Sequence, residues 1–171
     1  MPAAYKITSD PFFVNGNVTE TVLNTFETTQ ISLPLDSLNQ EGILVHAVYF
    51  TGSDPDGGVP NAKSFLDFQV TSTRKTAMVG ANDANLIAYQ QRIVQGGAAE
   101  FSGPHLVEMI GSRGPYQVSD NLMVVATDDL FLSIKGGAQT TLASCECRLV
   151  CSRIKLTASA YAALVTNELS S

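Results

Sequence analysis

Three observations point this chain to an all-β fold, a two-sheet jelly-roll-like β-sandwich of about eight strands with a short C-terminal helix. Extended apolar or alternating runs recur at Ile43–Phe50, Leu86–Val94, Leu122–Ile134 and Leu142–Ile154. Clusters of Gly, Pro, Asn and Asp separate them, and a helical period emerges only after Leu156. The 171 residues make one domain, 1–171, large enough to bury roughly 70 % of the surface exposed by its unfolded form.

Beyond an irregular start, Val18–Leu33 is rich in Thr, Val, Phe and Ile and reads as a first long strand that Pro34 ends. Asp36–Gly42 is a polar turn. In Ile43–Phe50 one face carries Ile43, Val45, Ala47 and Tyr49 and the other Leu44, His46, Val48 and Phe50, so both faces are expected to be covered. Asp54-Pro-Asp-Gly-Gly-Val-Pro60 concentrates turn signals in a loop at one end of the sandwich. Phe65–Thr73 alternates Leu66, Phe68 and Val70 with Asp67, Gln69 and Thr71, the pattern of a half-buried strand. Gly80–Asn85 turns the chain into Leu86–Val94, which alternates Ile87, Tyr89 and Ile93 against Ala88, Gln90 and Arg92.

Between Gly96-Gly97 and Gly103-Pro104 the pattern is irregular, and His105–Ile110 fits a strand or part of a helix. Asn121–Ile134, with a break at Asp128-Asp129, and Leu142–Ile154 are strands, and the Gly136-Gly137 pair between them fits a hairpin turn. The count comes to about seven or eight strands with no alternating helices, the pattern of a two-sheet sandwich. At the C-terminus the period changes to that of a helix at about 157–169. Thr157 is its N-cap, Leu156 and Tyr161 form a hydrophobic staple, and Tyr161, Leu164, Val165 and Leu169 lie on one stripe. Docked on its own sandwich the helix covers core; docked on another subunit it is an assembly element.

Composition narrows the function classes. Charged residues are 15 % of the chain, against about 25 % in an ordinary domain, which suggests an exterior covered by neighbours. The net charge is −6 and no Lys/Arg cluster exists, so direct nucleic-acid binding is not expected. No apolar run reaches the roughly 20 residues that span a bilayer, and no secretory signal is visible. Cys145, Cys147 and Cys151 share one strand. The first two project to one face about 6–7 Å apart and the third lies about 13 Å beyond, so they read as small apolar core thiols.

Catalytic chemistry finds little footing. His46 sits inside an apolar strand as a hydrogen-bonded interior histidine, and neither it nor His105 has metal-triad spacing; no Gly-x-Ser-x-Gly elbow precedes a helix. The chain is therefore read as a non-enzyme without a cofactor. Asp54 and Asp56 are weak calcium candidates, with Asp128-Asp129 elsewhere in the chain, but the third ligand and later Glu of an EF-hand are missing, and a plain turn is favoured. Asn17-Val18-Thr19 is a formal glycosylation sequon with no evident use.

The order of features resembles viral capsid proteins built on a single jelly roll. The likeness rests on the strand sequence, the loop at Asp54–Pro60 and the closing pattern. That pattern runs from Asn121-Leu-Met-Val-Val-Ala-Thr-Asp-Asp-Leu-Phe-Leu-Ser-Ile134 through Cys147-Arg-Leu-Val150 to Tyr161-Ala-Ala-Leu-Val165. It covers most of the chain as architecture, and no motif transfers a functional residue. The resemblance implies a self-assembling coat subunit of an icosahedral shell, found in the virion and assembled in the host cytoplasm, whose partners are copies of itself and other coat proteins. Met1–Thr29 has Lys6 as its one basic residue, unlike the basic N-terminal arm of capsid proteins that condense RNA directly, so the inner face is expected to meet a membrane or protein layer rather than the genome. The rival reading is a non-enzymatic carbohydrate- or receptor-binding sandwich using Tyr49, Asp54, Asp56, Tyr89 and Tyr116. The absence of Trp counts against it.

Overall fold

The computed structural model describes residues 4–56, 63–95, 105–109 and 123–170, and these form ten strands and one α-helix. The strands are β1 (Tyr5–Ile7), β2 (Phe12–Thr19), β3 (Phe26–Ser32), β4 (Glu41–Gly52), β5 (Lys63–Thr71), β6 (Leu86–Gln95), β7 (His105–Met109), β8 (Met123–Val125), β9 (Asp129–Gly137) and β10 (Ser144–Leu156). The helix α1 spans Ala158–Ser170. Sheet A has the order β1-β10-β4-β8, with β2 also on β10; sheet B has the order β3-β9-β5-β6-β7.

The chain crosses between sheets at most connections, and its antiparallel pairs are nested: β2 with β10, β3 with β9, β4 with β8, and β5 with β6. A long hairpin rolled over itself produces this nesting, which is the jelly-roll connectivity expected from the sequence. The strand count exceeds the expected eight partly because β1 and β2 are one interrupted edge strand. Both pair with β10, at Ile154–Leu156 and Ser144–Cys151 respectively. Thr8 N–H donates to the Arg153 carbonyl (2.8 Å) and Ser9 Oγ accepts from Arg153 N–H (2.9 Å) across the break. Tyr5–Ile7 and Phe12–Thr19, where an irregular start was expected, thus form ordered sheet edge.

The core between the sheets is built from alternate positions: Leu66, Phe68 and Val70 of β5; Leu130, Leu132 and Ile134 of β9; Cys145, Cys147, Leu149 and Cys151 of β10. The thiols are free and buried, as their spacing predicted. Burial holds all three well above the usual thiol range, with Cys147 and Cys151 at about 12, so they stay protonated and inert.

Four expectations need correction. Strand β5, expected to be half-buried, is covered on both faces: Asp67, Gln69 and Thr71 are buried too, and Gln69 donates to the Ala77 carbonyl and accepts from the Val79 amide of the segment that follows the strand. The single strand at 18–33 is two strands in opposite sheets. The chain turns over at 20–25, where Asn24 takes a left-handed φ of 59°. The Gly136-Gly137 hairpin does not exist: both glycines lie inside β9, and β10 belongs to the other sheet. A Cβ on Gly137 would sit 2.1 Å from the Phe65 ring, so glycine there admits an aromatic neighbour, and the left-handed turn residue is Ala138 (φ 56°). Finally, strict alternation fails in β4. Val150 pairs with Ala47 and Cys151 with Val45, which leaves His46 as a bulge residue. Before it Ile43 and Val45 face the core; after it Val48 and Phe50 do. Tyr49 consequently points outward and is exposed.

The helix forms as predicted. Thr157 Oγ1 accepts from Ala160 N–H (3.3 Å), and Ala160, Tyr161, Leu164 and Val165 pack on Leu44, Ile154 and Leu156 of the outer face of sheet A and on Ala126 just beyond β8. Glu168, 1 % exposed, accepts from Ala126 N–H and Thr127 N–H at 3.1 Å each and ties the last turn to the β8–β9 connection. Burial pushes its carboxyl above the usual range against the pull of those bonds.

Candidate interaction surfaces

Two surfaces of the described residues stand out. The first is the sandwich end where the β2–β3, β4–β5 and β9–β10 connections meet. Three polar side chains fasten these connections. Glu20, 1 % exposed, accepts from Gly136 N–H (2.8 Å) and Ala143 N–H (3.1 Å). Gln139 N–H donates to Asn24 Oδ1 (2.8 Å), and Gln139 Nε2 donates to the Phe65 carbonyl (2.9 Å). Gln139 Oε1 accepts from Asp56 N–H (2.9 Å). The Asp56 carboxylate in turn accepts from the backbone and hydroxyls of Thr140 and Thr141, with Thr140 N–H at 2.6 Å. Those bonds, the Thr140 amide foremost, hold the Asp56 carboxyl below its ordinary range.

The calcium candidates are therefore engaged by protein donors. Asp56 caps the β9–β10 connection, and Asp54 Oδ1 accepts from Arg92 Nη1 at 3.1 Å. Arg92 also donates to the Gly52 carbonyl (2.8 Å) and stacks 5.6 Å above the Phe68 ring. Among the described residues, no group of three or more His, Cys, Asp and Glu is arranged to hold a metal ion. On this fastened end three aliphatic side chains are left outside: Val22 at 60 %, Leu142 at 53 % and Leu23 at 38 % exposure. Elsewhere on such a domain scattered exposed apolar residues are ordinary, but these three sit on connections that Glu20, Asn24 and Gln139 hold together.

The second surface is the half of sheet A's outer face that α1 leaves open. Across three strands the register sets Asn15 beside Arg148 and Arg148 beside Tyr49, with Asn17, Glu146 and Thr51 in the next row. They border an open trough of about 800 Å³ with Phe13, 63 % exposed, and Tyr49, 48 % exposed, on its walls. Arg148 is oriented by Nε–H donation to Asn15 Oδ1 (3.2 Å) and by the Phe13 ring 5.3 Å from its guanidinium carbon.

The remaining residues singled out from the sequence are dispersed. His46, half-buried rather than interior, shares a hydrogen bond with Ser152 Oγ (2.8 Å). Tyr89 donates to Asp67 Oδ1 (2.8 Å) on the outer face of sheet B; burial, with Asp67 adding to it, raises its phenol. Tyr116 lies outside the described residues, and so do 57–60 of the turn-rich loop. Sequence reasoning missed Glu20, Gln139, Phe13 and Arg148. A period-2 reading from Phe12 onward would have set Phe13, Asn15 and Asn17 on one face, but nothing local marks Glu20 or Gln139.

No helix among the described residues is long and apolar enough to cross a membrane. Comparison with protein-family models finds no match, and no curated protein sequence is similar to the chain.

Proposed function

We propose that the protein is a structural, self-assembling subunit, a viral coat protein whose copies tile a closed icosahedral shell. The observation that carries this reading is the fastened sandwich end with Val22, Leu23 and Leu142 exposed on it. A loop end already held by Glu20, Gln139 and Asp56 loses little conformational freedom on docking, so modest apolar contacts suffice for association. The jelly-roll connectivity and the low charged fraction fit the same role. The partners are copies of this chain, with a second coat protein or an internal membrane or protein layer as further neighbours. The location that follows is the virion, after assembly in the host cytoplasm.

The test is the native mass by light scattering, with electron microscopy of the same sample. Closed particles or large rings are expected. A chain that stays monomeric at high concentration across salt and calcium conditions overturns the proposal. Val22→Asp combined with Leu142→Asp is expected to release folded single subunits, because both side chains are solvent-exposed within the subunit and a charge there opposes only a neighbour.

A further inference from the structure

We propose that the open half of the outer face of sheet A is a binding site for a neutral oligosaccharide. The residues that border it supply the two things a sugar ring needs: flat apolar surface for its C–H face and planar polar groups for its hydroxyls. Phe13 and Tyr49 stand exposed on the walls and provide the first. Asn15, Asn17, Glu146 and Arg148 provide the second, with amide and guanidinium donors beside amide and carboxylate acceptors.

These groups are held before any ligand arrives. All stand on paired strands, and Arg148 is fixed by Asn15 and by the Phe13 ring through its Nε edge and its face. Its two terminal nitrogens have no protein partner among the described residues, and neither does the Glu146 carboxylate. Such preorganisation cuts the entropy lost on binding. The three strands make the site about 10 Å across, and four residue steps make it about 14 Å long, room for a short oligosaccharide lying along β10.

Charge selects the class of ligand. Arg148 and Glu146 lie two positions apart on the same face of β10, so their charges offset each other locally, while the chain as a whole carries −6. An anion gains little at such a site, whereas vicinal hydroxyls can donate to Glu146 and accept from Arg148. Shape argues against a second copy as the occupant. A two-fold contact here would set trough against trough and enclose a water-filled void where an interface core packs densely. The site belongs to the subunit and does not depend on assembly.

Saturation-transfer NMR on the full chain, as monomer or particle, tests this with lactose, maltose, cellobiose and N,N′-diacetylchitobiose at about 10 mM, above the millimolar dissociation constants typical of weak open sites. Transfer to the ring C–H protons of at least one is expected, with affinity lowered at least about tenfold in Arg148→Ala and in Tyr49→Ala. Both side chains are exposed, and circular dichroism checks that the variants fold. Three results overturn the proposal: no transfer from any of the four sugars, undiminished transfer in both variants, or tighter binding of a sialylated trisaccharide. A change in native mass in the variants with no change in sugar signal assigns the face to contacts between copies and overturns it as well.

Discussion

Glu20→Ala is the most incisive perturbation of the fastened loop end. In the native fold its carboxylate is 1 % exposed and is the acceptor for two amides, Gly136 at the end of β9 and Ala143 just before β10. Truncation leaves both N–H groups buried without that acceptor, and each such loss costs about 1–3 kcal/mol, or about 2–6 kcal/mol for the pair. Removing a buried charge recovers part of that, so the net loss is expected at about 2–4 kcal/mol. Glu20→Gln keeps the shape and one acceptor oxygen but turns an N–H toward the second amide, and should cost about 1–2 kcal/mol. Urea unfolding measures both variants, with an unchanged slope as evidence that the folded and unfolded states keep their extent. Native-state hydrogen exchange should show the Gly136 and Ala143 amides opening faster than those of the β5 core. A loss below about 0.5 kcal/mol, within the range of an ordinary surface substitution, would refute the idea that this carboxylate holds the two connections together.

Two further outcomes follow from the same end of the molecule. Asp56 has a depressed carboxyl in the folded state, so its contribution to stability is present above the unfolded value near pH 4 and is lost as pH falls through the folded value. Asp56→Asn should flatten the acid limb of stability against pH, and a variant whose acid limb matches that of the parent would contradict the assignment. Gly137→Ala drives a Cβ against the Phe65 ring and should cost about 1–3 kcal/mol, with most of that cost removed in a Phe65→Ala background. Equal costs in both backgrounds would show that the ring contact is not the reason for glycine.

Local pattern by itself determined the class of this fold. Period-2 alternation in 65–71 and 144–149 put Leu66, Phe68 and Val70, and Cys145, Cys147 and Leu149, into the core, because a strand's faces are set by its backbone alone. The cap at Thr157 and the stripe of α1 were legible for a similar reason, since a helix declares its apolar side every three to four residues. Only the tertiary structure decided what depended on a distant neighbour. Gly137 is explained by Phe65, Gly136 and Ala143 by Glu20, and the outward turn of Tyr49 by a bulge at His46 opposite β10. Both candidate surfaces belong to this second kind. Val22 and Leu142 lie 120 positions apart, as they must when a rolled hairpin brings its two arms together, and Asn15 meets Arg148 and Tyr49 only because β2 and β4 flank β10. Pairing across such separations is chosen by the sum of core contacts over both sheets, and no short stretch of sequence contains that sum.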